Sequence, residues 1–86
     1  MAQEYSDIML DIISPERSLV HEAVGSVELP GAMGRFVVLK DHAPLISSLV
    51  AGDIVYRLSD EDEGRVSIAS GFVEVGENKV VACVEI

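Results

Sequence analysis

The sequence predicts an all-β fold, a single small sandwich of short strands around one aliphatic core. Three observations predict it. Apolar residues recur at period two in segment after segment, and side chains on a strand alternate faces, so each segment has one face to bury. Turn residues interrupt the segments every 8–12 residues or so, the rhythm of a sandwich or barrel. No segment carries a sustained 3.6-residue apolar period with caps, so no helix is expected.

The elements follow in order. Ile8, Leu10 and Ile12 share a face, and Ser14-Pro15-Glu16 ends that strand. Residues 19–24, LVHEAV, read as a half-exposed strand with His21 as one of its polar members. Val27 and Leu29 alternate with Ser26 and Glu28, and a tight loop between Pro30-Gly31 and Gly34 leads to Phe36 and Val38. Residues 42–50 have room for a helical turn, but Pro44 and Ile46 favour a bend running into a strand. After the turn Ala51-Gly52-Asp53 come YRLS and RVSIAS, joined by residues 60–64, then FVEV and VVACV, joined by Gly76-Glu77-Asn78-Lys79.

Composition bounds the function. The 86 residues suffice for one domain, residues 1–86, with one core. Hydrophobic residues make up 49% of the chain, yet there are only two Phe, two Tyr and no Trp, so the core must be built from Val, Ile, Leu and Ala. The net charge is −9 and the six cations are scattered, which excludes the basic footprint of a nucleic-acid binder and disfavours anionic lipid. No stretch approaches the roughly 18 apolar residues of a membrane span. The opening MAQEYSD lacks the marks of a signal or transit peptide, so a cytoplasmic protein is expected. The single Cys83 permits no internal disulfide and no zinc pattern, and its apolar surroundings predict a small buried hydrophobe.

Searches for chemistry fail one by one. Asp60-Glu61-Asp62-Glu63 puts Gly64 at position 5, where an EF-hand loop needs glycine at 6, and so dense a charge run reads as a solvated hairpin tip. Gly71 and Gly76 have the spacing of a phosphate loop but lack its Lys and Ser/Thr. Asp41, His42, Ser47 and Ser48 cluster in sequence without a nucleophile motif. No catalytic residue, cofactor or metal is expected. His42, fixed beside the Pro44 bend, reads equally as a structural or a contact residue.

Four stretches together resemble the epsilon subunit of bacterial F-type ATP synthase, in its amino-terminal β-sandwich domain. They are LDIISP with Glu16, VELPGAMG, HAPL from His42 to Leu45, and GFVEV followed by Asn78-Lys79-Val80. Each alone is weak; their order and spacing match across nearly the whole chain. The resemblance implies about ten strands in two sheets. It also implies a non-catalytic place in the central rotor stalk, on the cytoplasmic side of the bacterial inner membrane, between the gamma subunit and the c-ring. There the domain would couple proton-driven rotation to ATP synthesis carried out elsewhere in the complex. Matched residue by residue, the gamma-facing positions are Ser14, His42 and Ser47, and the c-ring loop is Ala32, Met33, Gly34 and Arg35.

Two runs depart from the family. Arg35-Phe36-Val37 stands where Glu or another residue followed by Phe-Gly or Leu-Gly is usual, and Lys40-Asp41 where Pro-Gly precedes the histidine. Arg35 is accordingly expected to pair with an acidic or polar loop residue of the ring. The helical hairpin that follows in many relatives is absent from these residues, so neither ATP binding nor inhibition of ATP hydrolysis by helices is expected of the chain. The alternative, a sandwich binding a small ligand or carbohydrate, would use exposed aromatics, and only Tyr5, Phe36, Tyr56 and Phe72 are available.

Overall fold

The computed structural model describes residues 7–86. Among them are nine strands and no helix: β1 (Ile8–Ile13), β2 (Ser18–Val24), β3 (Ser26–Gly31), β4 (Gly34–Val38), β5 (Leu45–Leu49), β6 (Gly52–Arg57), β7 (Glu63–Ile68), β8 (Ser70–Gly76) and β9 (Lys79–Glu85). Nine described strands stand against the expected ten or so.

The strands form one hydrogen-bonded path, β2-β1-β9-β8-β5-β3-β6-β7, with β4 on the other flank of β3. The path curls into two layers. One is β2-β1-β9-β8-β5 and the other is β4 and β6-β7 around β3. A single register pair, Gly31 with Leu49, joins them. Curling lets each layer bury one face against the other, which is how an antiparallel sheet with one apolar face satisfies itself.

The period-two reading accounts for the core. Ile8, Leu10 and Ile12 of β1 are fully buried, as are Val73 of β8 and Val80 and Ala82 of β9. From the other layer come Val27 and Leu29 of β3 and Ile54 of β6, also fully buried, with Tyr56 nearly so. Each such Leu or Ile contributes about 1.5–3 kcal/mol through burial. No polar residue is buried among those described, so the core makes no demand for internal hydrogen bonds.

One pairing lay outside what local patterning reveals. The first and last strands lie side by side and parallel, from Met9 against Lys79 to Ile13 against Cys83. A parallel pair cannot be closed by a hairpin and must be brought together by the whole chain. It places both ends of the chain's core in the middle of one layer.

Cys83 departs from expectation. Ala82 and Val84 face the core, so Cys83 faces outward, and it is half-buried rather than interior. The alternation that buries its neighbours is what turns it out.

Candidate functional site

The β3–β4 hairpin carries Ala32, Met33, Gly34 and Arg35. Its turn is possible because Gly34 sits at φ +124°, a conformation L side chains rarely adopt. Gly31 pairs with Gly34 to close the hairpin. On one side the hairpin is fastened to β5, where the Ala32 N–H donates to the Ser48 carbonyl at 2.9 Å and the Val50 N–H to the Pro30 carbonyl at 2.9 Å. On the other side Arg35 fastens it to β3 and β6 of its own layer. Its Nε donates to Glu28 Oε2 at 3.0 Å and its Nη2 to the Asp53 carbonyl at 2.8 Å. Met33 remains, fully exposed at the tip.

Arg35, expected to pair with an acidic or polar loop residue of the ring, is engaged here by its own chain. Glu28 sits on β3 beside it, close enough to take the guanidinium, and the Asp53 carbonyl takes a second donor. Asp53 is held in turn. Ser67 Oγ donates to Oδ1 at 2.6 Å and Arg65 Nη1 to Oδ2 at 3.1 Å. The Ser67 hydroxyl first, then the Arg65 guanidinium, keep the Asp53 carboxyl below its ordinary range. Arg65 also donates to Glu63 Oε2 at 3.0 Å.

His42 follows a loop held by an unusual pair. Asp41 adopts φ 65°, and Glu77 and Asn78 of the β8–β9 turn adopt 51° and 59°. Asp and Asn are among the few L residues that tolerate this left-handed region. The Asp41 N–H donates to Asn78 Oδ1 at 2.6 Å and Asn78 Nδ2 donates to Asp41 Oδ1 at 3.1 Å. The His42 ring, half-buried, donates from Nδ1 to the Ala43 carbonyl at 2.7 Å. That bond fixes the proton on Nδ1 and leaves Nε2 as the nitrogen available to a partner. Ser47 donates to the Ser48 carbonyl at 3.0 Å. His42 and Ser47 each spend a polar hydrogen on a backbone carbonyl, and neither acts as the other's base.

The structure brings most of the predicted contact residues together. Met33, Gly34, Arg35, His42 and Ser47 line one open concavity of about 440 Å³, with Phe36, Leu45 and the exposed Ile46. Ser14 lies apart. From Ser47 on β5 the layer runs through β8 and β9 to β1, three strand spacings or roughly 14 Å. The Ser14 hydroxyl closes its own turn, donating to the Arg17 carbonyl at 3.2 Å and accepting from the Arg17 N–H at 3.3 Å. It borders a second, more apolar depression of about 370 Å³ with Ile13, Phe72 and Cys83.

Sequence reasoning missed Phe72 and Ile46 as surface residues. Both lie in strands that also supply core residues, Leu49 in β5 and Val73 and Val75 in β8, and both are exposed, at 54% and 73%. The signal was available in register: Val73 and Val75 face inward, so Phe72 must face outward. Phe72 is the sole exposed aromatic among the described residues, since Tyr56 is buried and Phe36 packs on the core. A stacking platform for a carbohydrate is therefore not formed by them, and Tyr5 lies outside the described residues. Among the described residues no His, Cys, Asp and Glu come together in a metal-binding group. Residues 58–62 form the β6–β7 connection, where the Leu58 and Ser59 N–H groups both donate to the Asp62 carbonyl.

Comparison with known proteins gives one consistent result. Residues 7–86 match the family model of the ATP synthase delta/epsilon chain β-sandwich domain. An ATP synthase epsilon chain of Chlorobaculum tepidum is 40% identical over 85 residues, 99% of this chain and 97% of that one. An epsilon chain of Moorella thermoacetica is 40% identical over 76 residues, 88% of this chain but 57% of that one. The chain thus spans nearly all of some relatives and about half of others. Among solved structures, a chain of the Euglena gracilis mitochondrial ATP synthase (OSCP/F1/c-ring) superposes with a TM-score of 0.84 at 18% identity, covering 92% of this chain and 51% of that one. A chain of the Tetrahymena thermophila mitochondrial ATP synthase central stalk and c-ring gives 0.78 at 13%, covering 96% and 66%. At such identities these two speak for the fold.

Proposed function

The chain belongs to the ATP synthase delta/epsilon β-sandwich family, and from that membership we propose that it is the non-catalytic subunit of a central rotor stalk, joining the gamma subunit to the c-ring of a membrane-bound ATP synthase. Its work is mechanical. Proton-driven rotation of the ring is passed through the sandwich to gamma, and ATP is made elsewhere in the complex. The cytoplasmic face of a bacterial inner membrane is where such a stalk stands.

One observation carries the reading beyond membership. The proposed ring-facing hairpin and the proposed gamma-facing residues His42 and Ser47 line one exposed concavity on a close-packed body. A coupling that transmits torque needs two partners gripped close together by something that does not shear. Interiors packed as densely as organic crystals resist such deformation. Ser14, three strands away, would lengthen the grip on gamma across the β5-β8-β9-β1 face.

The test is functional reconstitution. Membranes whose ATP synthase has been stripped of its own epsilon chain are given this protein, and proton-driven ATP synthesis is measured. Restored synthesis is the expected result. Binding to the complex without restored coupling would overturn the mechanical role.

A further inference from the structure

We propose that Asn78, in the β8–β9 turn, is a positioning residue for His42: through Asp41 it holds the turn that aims the imidazole, keeps the ring proton on Nδ1 and leaves Nε2 as a bare acceptor. The group such a nitrogen takes is a hydrogen-bond donor. The proposal rests on the rotor-stalk reading only for the molecule that carries the donor, the gamma subunit. The positioning itself belongs to the free chain.

Two turns meet at this place. Leu39 to His42 form a β-turn, closed by the His42 N–H donating to the Leu39 carbonyl at 3.2 Å, with Asp41 third in it at φ 65°. The third position is where a type II turn needs a left-handed residue, and glycine fills it without strain. Lys40-Asp41 supplies neither that glycine nor the proline that presets the second position. The β8–β9 hairpin has a two-residue loop, Glu77-Asn78, both at positive φ between the paired Gly76 and Lys79, as a type I′ turn requires. The Asn78 carbonyl also accepts from the Met9 N–H at 3.0 Å, which ties its backbone to β1.

A side chain on so fixed a backbone can hold a second loop. The N–H of a turn's third residue has no acceptor within the turn. Asn78 Oδ1 supplies one to Asp41 at 2.6 Å, and Asn78 Nδ2 donates to Asp41 Oδ1 at 3.1 Å. These bonds offset the strain of an L residue in the left-handed region. His42 is the next residue, and beyond it Pro44 holds Ala43 extended. With the chain fixed on both sides, His42 Nδ1 meets the Ala43 carbonyl at 2.7 Å. A carbonyl only accepts, so the neutral ring carries its proton on Nδ1, the reverse of an unconstrained imidazole in water. Nε2 then bears a lone pair and no hydrogen, on a half-buried ring that borders the open concavity.

The test reads the ring directly. The full chain, its histidines labelled with heavy nitrogen, is followed by NMR at a pH where His42 is neutral, and the two ring nitrogens report which one carries the proton. Asn78→Asp keeps the shape and tolerates the left-handed φ, but sets a carboxylate against Asp41. Adding Asp41→Asn returns a donor from the other side and rebuilds both bonds. The wild-type ring is expected to carry its proton mainly on Nδ1, the Asn78→Asp ring mainly on Nε2, and the double variant again on Nδ1. Asn78→Gly, which lacks both side-chain bonds and keeps the permitted φ, is expected to match Asn78→Asp and replaces it should the like charges unfold the chain. A merely structural role would lower the thermal midpoint without moving the proton. Titrated against purified gamma, the single variants are expected to bind about three- to tenfold more weakly, the size of one hydrogen bond, and the double variant to recover.

A proton that stays on Nδ1 in a folded Asn78→Gly chain, or that sits mainly on Nε2 in the wild type, would overturn the positioning role. A shifted proton with gamma binding unchanged would overturn Nε2 as the contacting atom and leave the rotor reading intact. A wild-type chain with no affinity for gamma would overturn the rotor reading, while the ring proton, read without gamma, still decides the role of Asn78.

Discussion

Asp41 and Asn78 form a reciprocal hydrogen-bonded clasp across 37 residues of sequence, each at a left-handed backbone position. The clasp ties the loop before His42 to the β8–β9 turn. It also explains the departure from the family's Pro-Gly. Glycine takes a positive φ without cost, and here Asp41 takes it and gains Asn78 as a partner.

Substitutions should separate the bond from the backbone. Asn78→Gly keeps the permitted φ and removes both hydrogen bonds, an expected loss of about 1 kcal/mol. Asn78→Ala adds the left-handed penalty of roughly 1–2 kcal/mol for an ordinary L residue. Asp41→Gly is expected to be close to neutral, within about 1 kcal/mol, since backbone relief offsets the lost bond. Urea denaturation of the three variants checks the order; Asn78→Ala no less stable than Asn78→Gly would contradict it.

Gly64 lies under the Tyr56 ring. A Cβ built there would stand 2.2 Å from the ring carbon Cζ, and the two residues are direct cross-strand partners. The ring is nearly buried and cannot swing away freely. Gly64→Ala is therefore expected to destabilise the fold by about 1–3 kcal/mol, the usual cost of overpacking. Pairing it with Tyr56→Leu should relieve the clash, so that a double-mutant cycle by thermal unfolding gives a coupling energy well above the roughly 0.5 kcal/mol expected of independent sites.

Asp53 gives a pH dependence whose sign is fixed. Its folded carboxyl titrates below the ordinary 3.8 because Ser67 and Arg65 favour the charged form. A depressed folded value stabilises the protein above the unfolded value, and that advantage disappears as pH falls from about 3.8 through the folded value. Asp53→Asn should therefore lower stability at neutral pH, and its deficit should shrink steadily below that point. Thermal midpoints measured from pH 7 down to 2 would show it; a deficit that stays constant with pH would contradict the assignment.

The fold was legible because its information is local. Ile8, Leu10 and Ile12 announce their face by period, and Gly76-Glu77-Asn78-Lys79 announces its turn by residue type. What was not legible depends on chain-distant geometry. Nothing near Met9 or Lys79 indicates that β1 and β9 lie parallel. The site divides the same way. The hairpin from Ala32 to Arg35 was found by motif, but its internal anchoring was not, since Asp53 and Ser67 reach it only through the β3–β6 and β6–β7 pairings. Phe72 was passed over because its strand neighbours read as core, and Cys83 was taken inward for the same reason.

The rotor-stalk assignment is tested most directly by equilibrium binding of this chain to its own organism's gamma subunit, with wild-type protein compared against His42→Ala and Ser47→Ala. The account predicts a stable one-to-one complex, weakened by either substitution while the thermal midpoint of the isolated chain is nearly unchanged. A folded chain that shows no affinity for gamma would contradict it.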